Sequence, residues 1–278
     1  QMSEEQSFVL SLEDDLFIRG EVHAPSNREK APVVIICHGF KGYKDWNFFP
    51  YTATTLAKHG FYAIRFNFSM NGVKGDDFDE LEKFAENTYS RELNDLHVLM
   101  EKMEQRELPY AEFFDLERVG ILGHSRGGGD SVLFASESKR IQAVVTWNGI
   151  SQVDIWGDDF RKQVFTEGVG YVENKRTNIQ MPIKRNVFDD IEKNKERFDI
   201  LGKISNIKVP ILIVQGDADL ERLVEGAKKM HEKAPHSQLM MIKGAGHTFN
   251  ASHPLMTIPE ELEEALNETT RFFTESLK

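Results

Sequence analysis

Ser125 lies in Gly123-His124-Ser125-Arg126-Gly127, a spacing that suits a nucleophilic serine. The apolar run Val119-Gly120-Ile121-Leu122 precedes it, and a helical pattern beginning around Arg126 follows through Val132, Leu133 and Ala135. A serine presented on so sharp a strand-to-helix turn holds a strained backbone, and side chains two residues to either side would collide. Glycine at 123 and 127 removes both collisions. The helix behind the serine aims unbonded N–H groups, and the positive end of its dipole, at charge developing on a carbonyl oxygen. Gly-x-Ser-x-Gly alone also describes a solvated glycine-rich turn. The strand before it and the helix after it give the motif its meaning.

A serine hydroxyl is a poor nucleophile without a base, and the base needs an acid to orient it. In strand-turn-helix architectures of this kind the acid and then the base follow the serine along the chain. The apolar run Ile211–Val214 leads through Gln215-Gly216 into Asp217-Ala218-Asp219, and Gly244-Ala245-Gly246-His247 follows the next run, Leu239–Ile242. His247 is the expected base, because Gly244 and Gly246 let its loop pass close to the serine. His253 is the second choice. Asp217 and Asp219 are two apart, so one faces the imidazole while the other stabilises the loop or caps the following helix. Asp219 is the first choice for the acid and Asp217 the alternative.

His38-Gly39-Phe40 ends another apolar run, Val33–Ile36. A loop in that position supplies one N–H for an oxyanion, and the residue after the nucleophile supplies the other. The expected donors are therefore the backbone N–H groups of Phe40 and Arg126. Two further groups of reactive residues lead nowhere. Cys37 falls inside the strand, where a small buried hydrophobe is the ordinary reading. In His231-Glu232-Lys233-Ala234-Pro235-His236 the histidines are five apart, and Pro235 ends the helix that a zinc motif would need. Neither a phosphate-binding glycine loop nor a dinucleotide fingerprint is present, so no cofactor and no metal are expected.

Those residues must be positioned by a sheet. Phe8, Leu10 and Leu12 alternate with polar residues, as do Leu16, Ile18 and Val22, which predicts an antiparallel hairpin at a sheet edge. From Pro32 onward the apolar runs become continuous and β-branched, as in strands buried on both faces of a parallel sheet. They recur at Phe61–Phe68, Val119–Leu122, Ala143–Trp147, Ile211–Val214 and Leu239–Ile242. Helical patterns alternate with them: Leu93, Leu96, Leu99 and Met103 share one face, as do Leu220, Leu223, Ala227 and Met230. A last helix opens at Pro259 and buries Leu262, Ala265, Leu266, Phe272 and Phe273. Alternation of this kind predicts an α/β class with a doubly wound, mainly parallel central sheet flanked by helices.

About sixty residues separate the run ending near Trp147 from the one starting at Pro210, far more than an ordinary connection of roughly 2–6 residues. Trp156, Phe160, Phe165, Tyr171, Phe188 and Phe198 stand there among many charges. The expectation is a core made of residues 1–150 and 206–278 and an inserted cap over residues 151–205. An apolar cap of this sort would favour a homodimer.

The chain has 278 residues, a formal net charge of -11, 40% apolar residues and one cysteine. The acidic balance disfavours nucleic acid and anionic membranes as partners. One cysteine excludes an intrachain disulfide framework. The first residues lack the basic start and apolar run of a secretory signal, so a cytoplasmic location is expected.

Taken in order and spacing, HGFKG, GHSRGG, GDAD and GAGH resemble the α/β-hydrolase superfamily over nearly the whole chain from Pro32 onward. Within it, the HGF turn and an insertion between the sixth and seventh strands resemble bacterial carboxylesterases of the cinnamoyl and feruloyl esterase kind. Dienelactone-hydrolase-like and prolyl-oligopeptidase-like members are similar too. The resemblance implies a Ser125–His247–Asp219 triad, an oxyanion hole at Phe40 and Arg126, and a small-molecule ester with an apolar or aromatic acyl group. Amide or peptide hydrolysis, acyl transfer, and a catalytically silent ligand-binding member of the fold are the alternatives. Cinnamoyl esterases commonly carry glutamine after the nucleophile. Arg126 stands there instead, either paired with an acidic neighbour or free to hold a substrate carboxylate.

Overall fold

The computed structural model describes residues 4–278. Strands β1 (Glu4–Ser11) and β2 (Phe17–Ala24) form the antiparallel hairpin, with Leu10 opposite Ile18 and Phe8 opposite Gly20. Its turn passes through Asp14 and Asp15, both left-handed. There follow β3 (Ala31–Cys37), α1 (Phe49–Lys58), β4 (Tyr62–Phe66), α2 (Leu81–Glu86), α3 (Tyr89–Glu104), β5 (Phe114–His124), α4 (Arg126–Glu137) and β6 (Ile141–Trp147). After β6 come α5 (Asp158–Glu167), the strands β7 (Val169–Asn174) and β8 (Ile179–Lys184), α6 (Arg185–Lys193) and α7 (Ile200–Ile204). The chain closes with β9 (Ile211–Gly216), α8 (Glu221–Lys233), β10 (Gln238–Ile242) and α9 (Glu260–Leu277).

Eight strands make one sheet in the order β1-β2-β4-β3-β5-β6-β9-β10. Only the pairs β1–β2 and β2–β4 are antiparallel. Neighbouring residues of β3 divide between two apolar layers. Val33, Ile35 and Cys37 face α3, α4 and α8, whereas Val34 and Ile36 face α1 and α9. This is the sandwich that continuous β-branched runs require, because each strand buries both faces. Trp147 fastens α9 to β6, its indole Nε1–H donating to Thr269 Oγ1 at 2.8 Å. Strands β3, β5, β6 and β9 run parallel, so the loops that leave them emerge along one edge, where ligands of α/β sheets bind.

Two expectations need adjusting. Leu220 precedes α8 and is 57% exposed. Its N–H donates to Asp219 Oδ1 at 2.8 Å, which ties it to the acidic loop instead of the helical apolar face. The long segment after β6 holds an antiparallel hairpin, β7 with β8, that no sequence pattern announced. Val164, Met181, Ile183, Val187 and Phe188 of this segment pack with Tyr43, Val73 and Phe78 from the loops after β3 and β4 and with Phe84 of α2. Phe198, Ile200 and Ile204 instead join the layer of α3, α4 and α8.

The loop after β4 is pinned by a buried acid. Asp95 on α3 accepts from Ser69 N–H at 2.7 Å and Ser69 Oγ–H at 2.9 Å. Burial raises its carboxyl to about 7, against the pull of those bonds and of Arg91. A raised folded value means the contribution is complete below about 3.9 and is lost as pH rises through about 7. Between pH 5 and pH 8 the parent should therefore lose about 2–3 kcal/mol of unfolding free energy relative to Asp95→Asn. Urea melts of both proteins at the two pH values check this. Parallel pH dependence in the pair would contradict it.

Candidate active site

Ser125 sits between β5 and α4 with φ 59° and ψ -119°, a conformation that only a constraining surround sustains in a non-glycine residue. Its N–H donates to Trp147 O at 2.9 Å, and its own carbonyl accepts from Ile150 N–H at 3.1 Å. The flanking glycines are required by backbone proximity. A Cβ on Gly123 would overlap the carbonyl of Gly127, and one on Gly127 would overlap the carbonyls of Cys37 and His38. The elbow is thus wedged against the end of β3.

His247 Nε2 lies 3.0 Å from Ser125 Oγ, and His247 Nδ1 lies 3.0 and 3.1 Å from the two oxygens of Asp219. A carboxylate can only accept, so Nδ1 carries the proton and Nε2 is left to receive one from the serine. The Asp219 side chain is 1% exposed and that of His247 is 39% exposed. Burial works to raise the Asp219 carboxyl. The imidazole, Leu220 N–H and the Gln215 amide outweigh it and hold the group below its ordinary range. Asp217 takes the other role, as its Oδ1 accepts from Gly244 N–H at 2.8 Å and braces the loop. His253 is remote from this relay. Its Nδ1 accepts from Asn47 N–H at 2.8 Å, and its Nε2 lies 3.2 Å from Tyr43 Oη.

Three side chains that sequence reasoning passed over hold the relay in place. Asn148, left-handed at the end of β6, donates from Nδ2 to His247 O at 2.7 Å while its Oδ1 accepts from Gly216 N–H. It spans the histidine loop and the acidic loop in one residue. Gln215 donates to Asp219 Oδ2 at 3.2 Å. His124 shares the His247 carbonyl, 2.8 Å from its Nε2, and its ring centroid is 4.9 Å from that of His247. The contacts of Asn148 and His124 with the His247 carbonyl join residues about 100 or more apart in sequence, and no local pattern could have announced them.

The turn His38-Gly39-Phe40 approaches the elbow so closely that a Cβ on Gly39 would stand 2.9 Å from His124 O and 3.0 Å from Ser125 Cβ. His38 fixes this turn: Phe68 N–H donates to its Nε2 at 3.1 Å, and its Nδ1–H donates to Gly39 O at 2.9 Å. Burial pushes its pKa down, which keeps the ring neutral and able to serve both partners. Among the described residues, neither Phe40 N–H nor Arg126 N–H finds a backbone acceptor. The Arg126 side chain is paired, with Nε donating to Glu92 Oε1 at 2.6 Å and the guanidinium 3.8 Å over the Tyr89 ring. A cavity of about 550 Å³ opens in front of Ser125 and His247, with Phe40, Trp46, Tyr89, Ile150 and Ile155 on its walls. No group of three or more His, Cys, Asp or Glu side chains suited to a metal occurs among the described residues, and none of their helices is long and apolar enough to cross a membrane.

Residues 18–184 match the model of the dienelactone hydrolase family. The chain belongs to that family. Its matched span carries Phe40, Ser125 and Arg126 and stops before Asp219 and His247. The family match and the fold agree on an α/β-hydrolase architecture. Over 88% of the chain it is 23% identical to the uncharacterized peptidase YuxL of Bacillus subtilis, of which the match covers 36%. The chain spans well under half the length of the curated relatives it matches. Among solved structures it is similar to DcsB, captured with a substrate analogue, at a TM-score of 0.75, 18% identity and 99% coverage of both chains. Est1E from Butyrivibrio proteoclasticus is similar at 0.71 and 18% identity, covering 97% of this chain and 98% of that one. These likenesses establish the fold that the alternating pattern predicted.

His124 offers a test of this packing within the family framework. Burial, and then the charge of His247, lower its pKa from 6.5 to about 3, so the folded ring stays neutral while the unfolded one titrates. Stability is then retained above about 6.5 and drains away as pH falls toward the folded value. His124→Gln keeps a donor for the His247 carbonyl without the titration. From pH 7 to pH 5 the parent should lose about 2 kcal/mol relative to this variant in denaturant unfolding. An unchanging difference would show that the ring does not stay neutral.

Proposed function

We propose that the protein is a carboxylic ester hydrolase that works through an acyl-enzyme on Ser125. The observation that carries the reading is the unbroken hydrogen-bonded relay from Ser125 Oγ through His247 to Asp219, opening onto the cavity. His247 Nε2 takes the hydroxyl proton as Oγ bonds to the ester carbonyl carbon. Asp219 keeps the proton of Nδ1 in place and offsets the positive charge of the imidazolium. The Phe40 and Arg126 N–H groups, free of other acceptors, stabilise the oxyanion. The tetrahedral intermediate collapses as His247 returns the proton to the leaving alkoxide. Water, deprotonated by the same nitrogen, then releases the acid and restores the serine. No cofactor or metal enters these steps.

The segment over residues 151–205 acts as a cap in this reading, because its apolar residues close over Phe40 and its neighbours. Trp156 meets the Phe40 ring edge-on at 5.6 Å and stacks on Phe160 at 5.0 Å. Apolar walls of Phe40, Trp46, Tyr89, Ile150 and Ile155 suit an apolar or aromatic acyl group. Est1E has been observed with ferulic acid bound, which is an acid of that type. The likeness to a peptidase favours amide hydrolysis as a second reading. A matched ester and anilide with one acyl group separate the two. The ester should turn over faster by orders of magnitude, and equal rates would favour the peptidase.

A fluorophosphonate probe should label Ser125 in the folded protein. Ser125→Ala should abolish labelling and lower kcat on a nitrophenyl ester by about 10⁶-fold, and Asp219→Asn should lower it by about 10⁴-fold. The same activity in Ser125→Ala as in the parent would sink the nucleophile assignment.

A further inference from the structure

The cavity in front of Ser125 carries a charge opposite to that of the whole chain. Lys41, Lys175, Arg176 and Arg222 line it, and no Asp or Glu does, although the chain holds 45 acidic residues. None of these four side chains forms an ion pair among the described residues, whereas Lys44 and Arg185 pair with Glu21 and Asp189. Arg126 is the fifth cation of the wall, and Glu92 already neutralises it.

Three of the four converge at one corner. Lys175 and Arg176 occupy the turn between β7 and β8, and Lys41 Nζ reaches that hairpin, donating to Glu173 O at 3.2 Å. Burial, followed by the charges of Lys175 and Arg176, pushes the Lys41 ammonium below its ordinary range. The Arg176 guanidinium lies 5.6 Å from the Trp46 ring centroid and 5.9 Å from that of Tyr43. Glu173 acts on Lys41 against these two charges, but the three cations still outnumber it, and an anion would relieve the remaining repulsion.

Two unused donors stand in the same place. Asn174, 5% exposed, turns its Oδ1 to Arg176 N–H at 3.2 Å and leaves its buried Nδ2 without a partner. Trp46 Nε1 is likewise buried and unpartnered. Both residues line the cavity. Buried donors normally find acceptors, and these two meet none among the described residues.

We propose that the ester substrate carries a phosphate on the part extending from Ser125 toward the β7–β8 turn, held by Lys41, Lys175, Arg176, Asn174 and Trp46. The proposal rests on the ester-hydrolase reading and names its substrate class. A lone carboxylate neutralises one of three converging cations. A phosphate dianion presents three oxygens and about two charges, closer to the three cations than a carboxylate comes.

Three esters of one acyl group test it: a 4-nitrophenyl ester, a 4-acyloxybenzoate and a 4-acyloxyphenyl phosphate, each rate divided by its hydroxide-catalysed rate. The phosphate ester should have the highest corrected kcat/KM. Lys175→Ala/Arg176→Ala, altered on an exposed turn, should reduce the preference for phosphate over the neutral ester by about tenfold or more. The charge reversal Lys175→Glu/Arg176→Glu should reduce it further. Equal preference for benzoate and phosphate, or a preference that the double variant leaves intact, overturns the proposal. Calorimetry with inorganic pyrophosphate reads the anion site without catalysis. Binding to the parent that the double variant lacks supports the site even if no ester is cleaved, in which case the hydrolase reading alone fails. Absence of pyrophosphate binding in a protein that cleaves the neutral ester overturns the phosphate site alone.

Discussion

The contact on which the rest depends is the approach of three backbone segments around Ser125. Gly123 lets the end of β5 meet the start of α4, Gly127 brings that start against the carbonyls of Cys37 and His38, and Gly39 brings the next turn against Ser125 Cβ. No side chain fits between them. The serine is held left-handed because its neighbours leave no other path for the chain. Its N–H and carbonyl are consumed by Trp147 and Ile150, which ties the strained residue to β6. The strain at this one position is carried by a sheet whose strands are buried on both faces and cannot yield.

That close approach dictates what the other loops do. Once the elbow is fixed, a histidine can reach Oγ only from a loop that crosses the ends of β6 and β9, and the His247 loop makes that crossing. Asn148 and His124 both hold the His247 carbonyl, so the backbone of the loop is fixed before its side chain is considered. Asp217 and Asp219 divide the remaining work: one braces Gly244 and the other receives the imidazole. Two acidic residues two apart look interchangeable in sequence. They differ because the loop turns between them, and the carboxyl nearer the helix is the one shielded from water.

This division explains how much the sequence revealed. Gly-x-Ser-x-Gly, the acidic loop and the glycine-preceded histidine are local patterns, and each reports a backbone requirement within a few residues. The parallel sheet was legible for the same reason, through the runs at Val33, Val119 and Ile211. The hairpin of β7 and β8 was not. Pro182 interrupts its apolar alternation of Ile179, Met181 and Ile183, and the strands are packed on one face only. Leu220 misled because its spacing fits a helix that Asp219 prevents from starting one residue earlier. Asn148 and His38 gave no signal as supports, since Asn148 holds Gly216 and His247 and His38 holds Phe68 N–H, all on other strands or loops.

Net charge concealed the most consequential feature. A value of -11 describes the surface as a whole, and it says nothing about a corner assembled from residue 41 and residues 175 and 176. The charge beside Ser125 is balanced from within. Glu92 binds Arg126, and burial together with the Glu92 charge drives the Asp130 carboxyl well above its ordinary range. The elbow therefore presents neutral N–H dipoles rather than a net cation. The positive field over Ser125 is left to the β7–β8 turn, to Lys41 and to Arg222. On the proposed reading, chemistry and selectivity rest on different parts of the chain: the sheet edge around Ser125 would break the ester, and the charges of the β7–β8 hairpin would select which esters bind.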